Sequence, residues 1–362
     1  MNIGFYIDEM NFRGIAHSTY LYAINNKKYL KNKSIIFYNK KNFRNKKEVI
    51  QKFKKKFYCV GISSFREIDL YKVKHKLDYL YTQKSGNKDS WVSEKIKTIV
   101  HAVYPQKLNQ VHGYSYAYIS EWLSNKFSNK KIPFVPLITE YTNVSSNFKK
   151  SLKIKKNDVV FGCHGGDSSF DMKFVQSAVL NIAKDRKDIF FLFLNINKFC
   201  KHPQVKFLKG TSNENFKKKF INTCDAMLYG RSLGESFGLA CSEFAVQHKD
   251  ILSYKFNRHE SHKFNISKKN FLEYCSYETL YNLLSNYKKK YKKKYKSKYE
   301  KYSSLKVMKD FKNIFLDGKK IKFSQYDQLV NLCSRFKMNY LYLRHKIYNH
   351  YFDYFYSKFL MK

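Results

Sequence analysis

The stretch GRSLGESFGLACSE, residues 230–243, decides how the rest of the chain is read. An apolar run, CDAMLY at 224–229, precedes it, and a helix-like run, LACSEFAVQH at 239–248, follows it. A strand that ends in a Gly/Ser loop and opens straight into a helix suits phosphate, because the first helical amides lack internal partners and carry partial positive charge. Glu235 and Glu243 stand eight positions apart, the first in the loop and the second inside the helix. Neither carboxylate can be a core residue without a partner.

Outward from this stretch the same strand-then-helix alternation repeats. Upstream, DVVFGCHGG (158–166) runs from an apolar strand into a glycine pair, Gly165 and Gly166. Residues 171–183 carry a helical apolar stripe, Phe174, Val175, Ala178, Val179 and Ile182. IFFLFLN (189–195) is continuously apolar, as a strand covered on both faces should be. VKFLKG (205–210), a polar helix at 213–222 and DILSY (250–254) complete the pattern. Both glycine-bearing turns then fall at strand C-terminal ends, the ligand edge of an open parallel sheet.

The N-terminal part reads likewise. Strands are expected at 1–7, 34–39, 57–62, 77–82 and 97–104, with helices at 15–24 and about 45–55. The loop after the first strand offers Asn11, Arg13, Gly14 and His17 as ligand contacts, against a plain helix-surface role for the histidine. His101, His112, Tyr114 and Tyr116 could line a cleft for a hydroxylated ligand or belong to an aromatic core. Two prolines, Pro133 and Pro136, precede a polar stretch at 139–150 that suits a hinge. With 362 residues the chain exceeds one ordinary core. The division expected is 1–150, 151–302 and a helical 303–362 that crosses back to the first domain.

The net charge is +42. It fits a polyanionic partner, and it fits equally a composition biased towards Lys, Asn, Tyr, Phe and Ile. Apolar residues at 43% and aromatics at 18% exclude a disordered chain. The seven cysteines form no CxxC pair, which argues against a zinc or disulfide framework and for a reducing compartment. The N-terminus MNIGFYIDEMNF lacks a basic leader, and no run is long enough to span a bilayer, so a cytoplasmic protein is expected. Residues 287–301, YKKKYKKKYKSKYEK, place tyrosines every four positions among nine lysines. On a helix they form one face, which either meets anionic lipid or nucleic acid or packs on the domain. The aromatic tail from 324 is helical in spacing and suits docking on the first domain or a membrane interface.

GESFGLACSE (234–243) resembles the E-x7-E region of the GT-B glycosyltransferases of family 4. FGCHGGDSSFDMKFVQSAV (161–179) is similar to the glycine turn and helix that open their donor domain, and HGYSYAYISEWL (112–123) fits some of their N-terminal domains. The likeness is strongest over 159–254 and weaker over 1–140. It implies an α/β chain of GT-B type, two Rossmann-like domains facing across a cleft with extra C-terminal helices. It implies retaining transfer of a sugar from a nucleotide-sugar to a hydroxyl of a glycan, lipid-linked or protein-bound acceptor, without metal or other cofactor.

The resemblance also assigns roles. Glu235 would meet the donor sugar and Glu243 the ribose. Ser236 with the amides of Phe237, Gly238 and Leu239 would hold the diphosphate beside Gly165 and Gly166. The family's usual Arg and Lys near the glycine turn are replaced by Cys163 and His164 and by Ser168 and Ser169, so Arg231, or else Lys173, is the candidate cation. Arg13, Gly14, His17, His101 and His112 are the acceptor-side candidates. An epimerase or impaired relative on the same fold is the alternative enzyme reading. A basic nucleic-acid-binding protein is the alternative of another class, although no nucleic-acid module is recognisable. Contact with an anionic membrane is a separate expectation.

Overall fold

A computed structural model describes residues 1–139, 144–289, 295–318 and 321–355. The chain divides into two compact units, Met1–Glu140 with Lys301–Phe336, and Tyr141–Glu300 with Lys337–Lys362.

The first unit is built on six parallel strands, β1 (Asn2–Ile7), β2 (Lys33–Asn39), β3 (Tyr58–Ile62), β4 (Tyr79–Lys84), β5 (Lys97–Ala102) and β6 (Ser115–Tyr118), in the order β3-β2-β1-β4-β5-β6. This is the Rossmann order, with the switch point between β1 and β4. Ile3, Phe5, Ile35, Ile36, Phe37, Leu80 and Tyr81 are fully enclosed, as strands sandwiched between helices require. Helices α1 (Gly14–Leu30), α2 (Lys47–Lys54) and α3 (Tyr71–His75) connect β1 to β2, β2 to β3 and β3 to β4, and α4 (Glu121–Ser128) follows β6. The Ser120 hydroxyl caps α4 by accepting from the Leu123 N–H at 3.3 Å.

His101 lies inside this unit, not at a cleft. It is wholly buried, with Nδ1 2.7 Å from the Tyr81 hydroxyl and Nε2 2.8 Å from the Val135 carbonyl. Burial pushes its pKa down to about 3, so it stays neutral and bridges two core segments. Tyr22, Tyr81, Phe311 and Phe315 pack around it, ring centroids 5.1–6.1 Å apart. The acceptor-cleft expectation for His101 therefore gives way to its core alternative.

The second unit repeats the plan with β7 (Val159–His164), β8 (Ile189–Leu194), β9 (Val205–Leu208), β10 (Ala226–Tyr229), β11 (Gly234–Glu235), β12 (Asp250–Tyr254), β13 (His259–Glu260) and β14 (Phe271–Tyr274). Six of them form a parallel sheet ordered β14-β12-β10-β7-β8-β9, and β11 pairs with β13. The switch point lies between β7 and β10. Helices α5 (Lys173–Asp185), α6 (Glu214–Thr223), α7 (Leu239–Ala245), α8 (Ser261–Asn265) and α9 (Tyr277–Ser285) belong here. α7 is shorter than the run 239–248 predicts, and His248 turns into the left-handed region at φ 57°.

The expected lysine-tyrosine helix at 287–301 does not form among the described residues. Residues 287–289 and 295–297 are irregular, and Lys298–Lys301 is a single 3-10 turn. Residues 290–294, and with them Tyr291, lie outside the described residues. Tyr287 donates its hydroxyl to Asp250 at 3.1 Å, and the fully buried Tyr299 donates to the Phe237 carbonyl at 2.6 Å. Anchoring of these tyrosines to the domain defeats a helix in which lysines four apart would repel. The chain closes with α10 (Ser304–Phe311) and the long α11 (Gln325–Phe355). No helix among the described residues is long and apolar enough to cross a membrane. All seven cysteines are free thiols.

Candidate functional site

Two turns leave the second sheet side by side at its switch point. β7 ends at His164 and turns through Gly165 and Gly166; β10 ends at Tyr229 and turns through Gly230. The turns are clamped together. The Asp171 carboxylate accepts from the Ser232 N–H at 2.7 Å and its hydroxyl at 2.8 Å, and the Asp171 N–H donates to the Gly230 carbonyl at 3.1 Å. The Phe170 ring packs against Gly230, where an added Cβ would stand 2.5 Å from it. Just after β8, Asn195 donates to the Gly165 carbonyl at 2.6 Å.

The loop of residues 230–238 is fixed from its other side. The fully buried Asn257 donates to the Arg231 carbonyl at 2.8 Å and accepts from Ser253 at 3.2 Å, and Ser253 meets His262 at 2.9 Å. Gly234 has φ +72° and faces the His259 carbonyl, 2.0 Å from where a Cβ would sit. No side chain fits there, so Gly234→Ala is expected to destabilise the fold by more than about 2 kcal/mol. Urea unfolding followed by circular dichroism measures it, and a midpoint equal to the parent's would refute this account.

The candidate residues gather in two groups. In the first, Glu235 accepts from the Tyr229 hydroxyl at 2.8 Å and from Arg231 at 3.2 Å. Burial, reinforced by Glu235, holds the Tyr229 phenol far above its ordinary pKa, so it remains a donor. In the second, Glu243 on α7 accepts from Lys217 on α6 at 2.6 Å and comes within 2.9 Å of His164 at the end of β7. The His164 contact is a close approach without hydrogen-bond alignment; its ring stacks on Phe244 at 5.9 Å. Burial lowers the Lys217 pKa, but Glu243 and Glu214 outweigh it and the net shift is upward, so the ammonium stays charged.

Among the remaining candidates, Ser236 is buried, and Phe237 is a core residue whose ring meets Tyr299 at 5.4 Å. Gly238 caps α7 at φ +92°, and Leu239 opens it. Lys173 is exposed at the start of α5. In the first unit, Arg13 precedes α1 and its backbone N–H donates to the Asn11 side-chain oxygen at 2.9 Å; Gly14 opens α1 and His17 is half-buried on it. His112 is half-buried and bonded to the Gln110 carbonyl at 2.6 Å, and burial lowers its pKa. Among the described residues no three His, Cys, Asp or Glu side chains cluster with metal-binding geometry.

Sequence reasoning missed Lys217, Tyr229 and Asn257. Lys217 sits in a helix read only as polar, and its one local signal is the spacing from Glu214. Tyr229 was absorbed in an apolar strand. Asn257 belongs to the segment KFNRHESHKF, which has no recognisable turn pattern.

No family model matches the chain, and no curated protein matches it. Solved structures do. HepE of Anabaena in complex with UDP-glucose superposes with a TM-score of 0.58 at 10% identity, over 94% of this chain and 99% of that one. The fold is GT-B. A glycosyltransferase from Rickettsia africae gives 0.54 at 11% identity, over 93% and 97%. UDP-GlcNAc 2-epimerase from Neisseria meningitidis bound to UDP-GlcNAc gives 0.54 at 13%, over 88% and 100%. At these identities the likeness is one of GT-B architecture, shared by transferases and an epimerase.

Proposed function

We propose that this GT-B chain transfers a glycosyl unit from a nucleotide-sugar to an acceptor hydroxyl with retention, using the C-terminal edge of the second sheet as donor site. One observation carries the reading: the β7–β10 switch point collects Arg231, Glu235 and Glu243 around two clamped glycine turns. Two acids with two different cationic partners suit a donor that presents hydroxyls at both ends and negative charge between them. In this reading Glu235 takes donor-sugar hydroxyls, Glu243 takes the ribose, and Ser236 with the amides of residues 237–239 lines the diphosphate. When the bond from the anomeric carbon to the diphosphate breaks, charge grows on the departing oxygen. Arg231, whose guanidinium carries five N–H donors, can bridge Glu235 and that phosphate at once. The glycan, lipid-linked or protein-bound acceptor falls to the first unit, with Arg13, Gly14, His17 and His112 as its candidates.

Side-chain cations give the leaving group its counter-charge in this proposal, so transfer is expected to persist in excess chelator. A thermal-shift screen over common nucleotide-sugars tests the whole reading: at least one is expected to raise the melting temperature by several degrees. No shift with any of them, combined with steeply salt-dependent DNA or RNA binding, would overturn it in favour of a nucleic-acid-binding protein. The likeness to the epimerase supports a second reading. Conversion of the bound nucleotide-sugar without acceptor would favour epimerisation, and product formed only with acceptor favours transfer.

A further inference from the structure

α11 runs for 31 residues, and its two sides differ in an unusual way. One side packs. Asp327, Asn331, Met338, His345 and Phe352 are buried along it. In the first unit Asn331 donates to the Phe127 carbonyl at 2.7 Å, and in the second unit Phe352 meets Phe174 at 5.9 Å.

The opposite side is apolar and exposed. Leu329, Leu332, Phe336, Tyr340, Leu343, Ile347 and Tyr351 are each at least 49% exposed. Their spacing is three, four, four, then three, four, four, an eleven-residue repeat. At 3.67 residues per turn such a repeat barely drifts on a straight helix. At about 100° per residue the seven fall within an arc of about 100°, and the stripe is about 33 Å long. Surface leucines scattered singly need no explanation, but a continuous stripe marks a contact.

Charge identifies what covers it. Residues 328–352 contain no Asp or Glu, and they hold Arg335, Lys337, Arg344 and Lys346. Lys337 and Arg344 border the stripe on one side and Lys346 on the other, and all three are exposed. An apolar stripe between rows of cations is the pattern of a helix lying in the interface of an anionic bilayer, where the long basic side chains reach the headgroups. A second copy of the chain fits worse, because each copy carries +42 and would bring the same cations to the seam. The helix is not apolar enough to insert across the membrane.

We propose that α11 docks the protein flat on an anionic membrane surface through its Leu329–Tyr351 stripe. The inference is independent of the reaction proposed above. The test is co-sedimentation of the full chain with vesicles of phosphatidylcholine alone or with 30% phosphatidylserine, at low salt. The chain is expected to bind the anionic vesicles at least ten-fold more tightly than the neutral ones. Replacing Leu332, Phe336 and Leu343 together by Gln should weaken that binding at least ten-fold, and Lys337→Gln with Lys346→Gln should weaken it several-fold. The side chains are exposed, so melting temperature and nucleotide-sugar thermal shifts should stay at parental values, which separates this outcome from failure of the donor site. Absence of binding to anionic vesicles overturns the proposal, as does binding undiminished in the triple variant. A parental dimer in light scattering that the triple variant converts to monomer would also overturn it, assigning the stripe to a second copy.

Discussion

Glu235→Gln is expected to lower turnover by about two orders of magnitude while affinity for a nucleoside diphosphate changes by no more than about three-fold. The amide keeps the size of the carboxylate and can still accept the Tyr229 hydroxyl, held at 2.8 Å in the parent. What disappears is the charge that orients Arg231, 3.2 Å away, and the strong acceptor proposed for the donor sugar's hydroxyls. Both matter most when the sugar develops positive charge and the diphosphate negative charge. The nucleotide itself makes no contact with Glu235 in the proposed site. The pair is partly exposed, so stability should fall by less than about 1 kcal/mol. Steady-state kinetics beside calorimetry separates the terms. Equal losses in turnover and nucleotide affinity would remove the sugar role assigned to Glu235.

Glu243→Ala should do the reverse first: nucleotide affinity falls at least about 100-fold, because two charge-assisted hydrogen bonds to ribose hydroxyls are worth about 3 kcal/mol together. A second consequence comes from the fold. Glu243 neutralises Lys217, whose side chain is only 17% exposed. Leaving that ammonium with Glu214 alone, 3.2 Å away, should cost about 1 kcal/mol of stability. The double variant Glu243→Ala with Lys217→Met separates the two effects. Removing both charges should restore most of the stability and none of the nucleotide affinity. If calorimetry shows parental nucleotide affinity in either variant, Glu243 is a structural partner of Lys217 and the ribose assignment falls.

How far the sequence could be read followed from the range of each interaction. The strands of both sheets, apart from the edge strands β6 and β14, were legible because central parallel strands bury both faces, so IFFLFLN must be apolar throughout whatever lies beside it. The glycine turns were legible because a φ of +72° at Gly234 or +92° at Gly238 rejects nearly every other residue. Helix ends and the lysine-tyrosine stretch were not. Spacing by four predicts a helix at 287–301, yet Tyr287 and Tyr299 are held by Asp250 and Phe237, partners 37 and 62 positions away. His101 shows the same limit. A histidine in a polar, aromatic run reads equally as a cleft or a core residue until its partners, Tyr81 and Val135, are seen to enclose it.

By itself, then, the chain declared two α/β units and the loop of residues 230–243 with its two carboxylates, because burial on both strand faces and left-handed turns restrict residue type locally. Only the tertiary structure decided what each carboxylate faces. The β7–β10 crossover brings Asp171 to Ser232, and α6 carries Lys217 to Glu243 across 26 positions of sequence. Such pairs are set by where helices land on a sheet, and ion pairs between helices leave no periodic trace in the sequence that makes them.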